Sequence, residues 1–318
     1  MRIVDFTKAH VEPAMKIAMQ NYKEERRFVS ALPPIDAVPD LAPFAHNDLG
    51  VAAFDGEKML GFLCSAGAWD NAWKISGLRK VFSPLHGNGA VSENRAQIYA
   101  QMYEAVGEKW AKIGAASHAV CLYAHDKEAA KQFFRYGFGM RCVDAIRSMS
   151  DISFSSCNGY TFSEVSSDEL LKIYPLYLKH TKGYIKSPFF LFRKPESEEE
   201  FLKNAVQQKS IFFSAEIEGQ TVAYIQSELD GETFLKDTDG YHHCTGLYCL
   251  PEHRGKGISS QLLELLIRKL KTEGYVRLGV DFESINPSGS GFWFKYFDAY
   301  SNSLVRRIDE CAVTKVSS

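Results

Sequence analysis

Residues Pro251 to Ser259 read Pro-Glu-His-Arg-Gly-Lys-Gly-Ile-Ser. They lie between an apolar stretch, Gly246-Leu-Tyr-Cys-Leu250, and a leucine-rich one that starts at Ser259. The first stretch ends a predicted strand, about Tyr241–Leu250. The second opens a predicted helix, about Ser259–Glu273, that stops at Gly274. In that helix Leu262, Leu263, Leu266, Ile267 and Leu270 form an apolar stripe at helical spacing. The turn therefore presents the unbonded N–H groups of a helix N-terminus, at the positive end of its dipole. Glycines let the backbone approach a ligand closely, and Arg254 and Lys256 add positive charge. Such a turn is a ready anion site, and phosphate is its natural ligand. A GxxxxGK[ST] loop and a GxGxxG fingerprint are both absent.

The surroundings of this turn are written twice. Val51–Ser65, VAAFDGEKMLGFLCS, parallels Phe213–Ser227, FSAEIEGQTVAYIQS: strand, acidic-Gly turn, strand. The segments before the hairpins also match. RIVDFTKAHVEPAMKIAMQNY opens the chain, and YTFSEVSSDELLKIYPLYLKH opens at Tyr160. Each reads as strand, polar turn and amphipathic helix, with Ser167 a predicted N-cap in the second. Ala124–Gly139 parallels Ser284–Tyr300: a strand gives way to Asp126 or Asn286, a small residue stands three places on, and aromatics follow. The chain thus reads as one α/β unit repeated, with the boundary in the Ser/Gly-rich stretch Asp151–Gly159. Arg27–Pro43 and Trp69–Asn94 resist assignment. Ser303–Lys315 reads as a last strand.

The 318 residues suffice for about two domains, and 45% hydrophobic with 24% charged residues is ordinary for a globular protein. A formal net charge of −2 argues against a nucleic-acid scaffold. The start, MRIVDFTKAH, lacks the apolar core of a secretion signal, and no apolar run reaches the ~18 residues of a membrane span. Seven cysteines without a CxxC pair suit a reducing compartment, so a cytoplasmic protein is expected, with no nucleic-acid or membrane partner. His242, His243, Cys244 and Cys249 do not suggest a metal site, because strand neighbours point to opposite faces.

The pattern Arg254-x-x-Gly257-x-Ser259, after strand and Pro and before an amphipathic helix, resembles the (Arg/Gln)-x-x-Gly-x-(Gly/Ala) pyrophosphate loop of the GNAT acyltransferase superfamily. Ser259 departs from the usual Gly or Ala. The resemblance implies an α/β fold with mixed sheets: two tandem GNAT-like acyl-CoA N-acyltransferase domains, 1–152 and 158–318. It implies acetyl-CoA as cosubstrate, no metal, and direct transfer to the primary amine of a small molecule or peptide by a monomer or homodimer. A splay between Leu247–Leu250 and Tyr275–Ile285 would admit the pantetheine arm. The implied cofactor residues are Tyr248, Cys249, Leu250, Arg254, Gly255, Lys256, Gly257, Ile258, Ser259, Ser260, Asn286 and Trp293. The oxyanion donor would be a backbone N–H near Cys249 or Leu250.

For the base, His243 is expected first, with Glu283 a rival and Asp281 pointing the same way. The general-acid position seven residues after Asn286 holds Trp293, which cannot give up a proton usefully. Tyr296 is the remaining candidate acid, with core packing as its other reading, and water could serve instead. Cys244 as an acyl relay has no spacing signal. In the N-terminal repeat HGNGA lacks the arginine and Phe133 stands at the acid position, so that copy is expected to be degenerate. A CoA-binding sensor without turnover and a tandem aminoacyltransferase are the rival functions. Phe189–Pro195 reads as a buried edge segment, with the lining of a substrate slot as its other reading, and Glu196–Glu200 as a solvated helix start.

Overall fold

The computed structural model describes residues 1–70, 78–153 and 157–317, with side chains to residue 313. The chain divides into two compact units. One comprises Met1–Asp144 with Ala299–Ser318, the other Ala145–Asp298.

The first unit begins with β1 (Arg2–Asp5), α1 (Val11–Arg26) and the hairpin β2 (Gly50–Asp55) and β3 (Lys58–Cys64). Then come β4 (Ala68–Trp69), β5 (Arg79–Ser83), β6 (Asn88–Ala90), α2 (Arg95–Lys112), β7 (Ala115–Tyr123) and α3 (Lys127–Arg135). β8 (Gly139–Ser148) starts in this unit and ends in the other. One sheet has the order β1-β2-β3-β6, and β7 is flanked by β5 and the C-terminal β14 (Asp298–Arg307). Met102, Val106 and Trp110 of α2 fill the core against Leu63, Val120, Leu122 and Phe133. Burying each such side chain stabilises by about 1.5–3 kcal/mol.

The second unit holds β9 (Thr161–Glu164), α4 (Tyr174–Gly183), α5 (Glu198–Gln207) and the hairpin β10 (Ile211–Ile217) and β11 (Gln220–Glu228). It continues with β12 (Tyr241–Cys249), α6 (Ile258–Thr272), β13 (Arg277–Glu283) and α7 (Pro287–Trp293). The order is β13-β12-β11-β10-β9, antiparallel apart from parallel β12 and β13. All five residues of the predicted α6 stripe are fully buried. Asp126 and Asn286 cap α3 and α7: Asp126 accepts from Ala129 N at 3.1 Å, and Asn286 from Gly289 N at 3.0 Å. The small residue three places on is thereby explained, since a Cβ at Gly289 would stand 2.5 Å from Asn286 Nδ2.

Several expectations need correction. The last strand ends at Arg307, and α8 (Glu310–Ser317) follows, capped by Asp309 Oδ1 accepting from the amides of Cys311 and Ala312. β14 lies in the first unit, paired antiparallel with β7 from Ser301↔Tyr123 to Arg307↔Ser117. All nine β7 residues are buried, so β7 takes a partner on each edge. The units thus differ from the division 1–152 and 158–318; part of the predicted boundary stretch, residues 154–156, lies outside the described residues. The N-cap before the first turn of the second repeat is Ser166 rather than Ser167. Phe190 and Phe192 are exposed and outside any strand, so Phe189–Pro195 is not a buried edge. Trp69–Asn94 resolves into β4 to β6, with residues 71–77 outside the described residues. Arg27–Pro43 is irregular backbone tied down by Tyr22, whose hydroxyl donates to Pro33 O at 2.6 Å.

Candidate active site

β12 and β13 pair from Tyr241↔Arg277 to Cys244↔Val280, and there the ladder ends. Both strands run on, to Cys249 and Glu283. On its other edge β12 stays paired with β11 to Ala223↔Cys249. A bulge at Thr245, between the pairs Gln226↔Gly246 and Ser227↔Cys244, bends β12 where it leaves β13. The expected splay is therefore present.

Register decides which amides face it. Leu250 N donates to Val222 O at 2.9 Å, so this N–H is spent on β11 and is not an oxyanion donor. By strand alternation Tyr248 faces β11 as well, while the backbone groups of Cys249 and Leu247 face the open side. Arg254 Nε donates to Cys249 O at 3.0 Å, which fits that orientation. The guanidinium lies 5.8 Å from the Tyr248 ring centroid. In the turn Gly255 has φ 75° and Gly257 φ 86°, both left-handed. Gly257 leads into α6, and no side chain caps this end, so the N–H groups of the first turn point outward. Arg254, Gly255 and Lys256 are exposed, Ser259 and Ser260 are half-buried, and Ile258 anchors the helix in the core.

His243 is buried at 1% exposure, with both ring nitrogens engaged. Tyr241 Oη lies 2.6 Å from Nδ1 and Asp281 Oδ1 lies 2.8 Å from Nε2. A Tyr241 hydroxyl donating to Nδ1 and an Nε2–H donating to Asp281 satisfy all three groups. Asp281 is 33% exposed and is the solvent-facing end of this chain. Parallel pairing sets His243 opposite Gly279, where a Cβ would stand 1.9 Å from Tyr241 Oη and 2.8 Å from His243 Nδ1. The glycine makes room for the cluster. Glu283, the rival base, is 7% exposed and accepts from Arg193 Nη2 at 2.8 Å. That ion pair leaves it poorly placed to take a substrate proton.

Trp293 is buried edge-on between Phe292 and Phe297. Tyr296 is half-buried, and its hydroxyl sits 2.8 Å from Ser260 Oγ in the first turn of α6. It is neither plain core nor a group of the His243 cluster. Burial pushes the Cys249 thiol up to about 11 and the Cys244 thiol higher still, so neither is a ready nucleophile. His242 packs edge-on against Tyr275, away from His243. Among the described residues no group of three or more His, Cys, Asp or Glu could hold a metal.

Sequence reading missed the aromatic wall. His180 stacks on Tyr248 at 5.3 Å, with Nδ1 3.3 Å from Tyr224 Oη and Nε2 3.4 Å from Tyr184 Oη. Burial, then Arg193 and Arg254, hold it down to about 4, so it is neutral. Arg193 lies 3.9 Å over the Tyr184 ring. The i, i+4 pair His180 and Tyr184 at a helix end was the available signal.

Residues 179–290 match the acetyltransferase (GNAT) family, a span containing β10 to β13, the loop and α6. A GCN5-related N-acetyltransferase from Sphaerobacter thermophilus has a similar structure: TM-score 0.60, 11% identity, 96% of this chain and 95% of that one. A tandem GNAT protein from the clavulanic acid biosynthesis pathway gives TM-score 0.47 at 12% identity, over 96% and 98%. No curated protein sequence matches. The match to the GNAT family is confined to residues 179–290, and the likeness in fold to the GCN5-related N-acetyltransferase extends over nearly the whole chain.

Proposed function

We propose that the second unit is an acetyl-CoA-dependent N-acetyltransferase that acts on a primary amine of a small molecule or peptide by direct transfer. The observation that carries this reading is the β12–β13 ladder ending at Cys244↔Val280 beside the uncapped N-terminus of α6. A diphosphate meets the amides of residues 255–260 and the cations of Arg254 and Lys256. The pantetheine amides pair with the open-side backbone of Leu247 and Cys249, as an added strand would. The Cys249 N–H then faces the thioester oxygen.

The ammonium of the acceptor gives its proton to Asp281, backed by His243 and Tyr241. The neutral nitrogen bonds to the acetyl carbon, the C–S bond breaks, and the thiolate leaves. The nitrogen, cationic once the bond forms, sheds its second proton, which reaches the thiolate through water; with a thiol pKa near ~8.5 no dedicated acid is needed. Tyr296, against Ser260, serves the phosphate end. Arg193, Tyr184 and His180 line the acceptor side. Thiols not joined in disulfides fit a cytoplasmic setting, and no described helix is long and apolar enough to cross a membrane.

The test is paired. Acetyl-CoA raises the melting temperature, and Arg254→Glu with Gly257→Asp abolishes the shift; a surviving shift removes the loop from the site. Thiol release over an amine panel then separates enzyme from sensor, since binding without turnover of any amine favours a sensor.

A further inference from the structure

The first unit contains a cavity of about 230 Å³ lined by the end of α1, the start of α2 and the segment after β7. We propose that this cavity is a separate binding site for a small organic ammonium ion, a function beyond the acyl transfer of the second unit. Tyr123 lines it, is 8% exposed, and its hydroxyl has no hydrogen-bond partner among the described residues. Burial holds this phenol well above its usual pKa, so it is a neutral donor and acceptor awaiting a partner.

Beside it stands Glu25, 2% exposed. Its Oε1 lies 2.7 Å from His125 Nδ1, and Oε2 accepts from the His125 amide at 3.1 Å. A carboxylate has about four lone-pair sites, so two remain for a ligand's N–H donors. Phe28 is 65% exposed and stacks on His125 at 4.6 Å and 5°, which leaves its outer aromatic face at the rim for a cation.

The charges select the sign of the ligand. Three carboxylates line the cavity, Glu24, Glu25 and Asp126, against Arg27 and Arg95. Arg95 is spent between Glu24 at 2.7 Å and Asp126 at 3.3 Å, and Arg27 is exposed. Glu25 is left with an imidazole alone at the buried end. Burial raises its pKa, which an incoming cation reverses. The volume lies below the ~300–1,000 Å³ of pockets for drug-sized ligands, so the occupant is a small amine.

The experiment uses the full chain with n-butylammonium and putrescine as probes and acetate as the anion control. Binding is followed by NMR titration and by crystals soaked with each probe. At least one amine is expected to bind with density in this cavity, to lose tenfold or more affinity in Glu25→Gln and in Tyr123→Phe, and to be indifferent to acetate. Tyr123→Phe without ligand should melt no lower than the parent, because it removes only an unpaired hydroxyl; this controls for misfolding. Equal affinity in both variants, an empty cavity in the soaked crystals, binding of acetate in place of the amines, or a Tyr123→Phe protein that melts well below the parent would overturn the proposal.

Discussion

The two repeats enter their central helices alike and arm them oppositely. α6 starts after a left-handed Gly257, α2 after a left-handed Asn94. Around α6 stand Arg254 and Lys256 with an open splay alongside. Around α2 the first residue, Arg95, is held by Glu24 and Asp126. The β5–β7 ladder ends at Ser83↔Val120, and beyond it the gap along that edge of β7 is filled by Asn88, whose amide donates to Cys121 O at 2.9 Å while Tyr99 donates to its Oδ1 at 2.9 Å. The helix dipole is common to both; the side chains decide whether an anion is welcome. The first turn of α2 is also anchored, since Ile98 and Tyr99 belong to the same core as Met102, Val106 and Trp110.

The largest predicted effect comes from making α6 resemble α2. Arg254→Glu alone should weaken CoA binding 100-fold or more by calorimetry, about 2.7 kcal/mol. Next, Gly279→Ala drives a methyl into Tyr241 and His243. It should lower kcat/KM by about 100-fold, the contribution of a positioned base, and stability by about 1–3 kcal/mol. An active Gly279→Ala protein would detach the His243 cluster from the chemistry.

The converse change should be milder. Glu24→Gln with Asp126→Asn strips the acids from α2 while keeping the cap of α3. It should cost about 1–3 kcal/mol in denaturant unfolding, because Arg95 is left with a desolvated charge. It should not create a CoA site, because Asn88 still fills the gap. A pH effect acts on both units. Burial holds His86, His118, His180 and His242 each down to about 4, from 6.5. Between those values the unfolded chain binds more protons, so stability is full above about pH 6.5 and falls as pH drops toward 4. Melting temperature against pH should show this, and His180→Phe should flatten the slope; an unchanged slope would remove His180 from the effect.

What the sequence made legible was local. The glycine turn before α6, the apolar stripe of α6 and both hairpins each depend on residues within a few positions of one another. What it hid depends on distant partners. Arg193 and Glu283 are 90 residues apart, so nothing local showed that the rival base was already paired. Leu250 lost its oxyanion role to a register that only the sheet defines. Ser303–Lys315 reads as a last strand by alternation, which cannot say that its partner is β7, about 180 residues earlier in the chain. Tyr296 was open between core and acid because its partner, Ser260, lies 36 residues away in the first turn of α6.

The most direct test of the account is the stoichiometry of CoA binding by calorimetry on the full chain. One CoA per chain is predicted, abolished by Arg254→Glu and unaffected by Glu24→Gln with Asp126→Asn. Two CoA molecules per chain, or one that persists in Arg254→Glu, would contradict the division between an open and a filled slot.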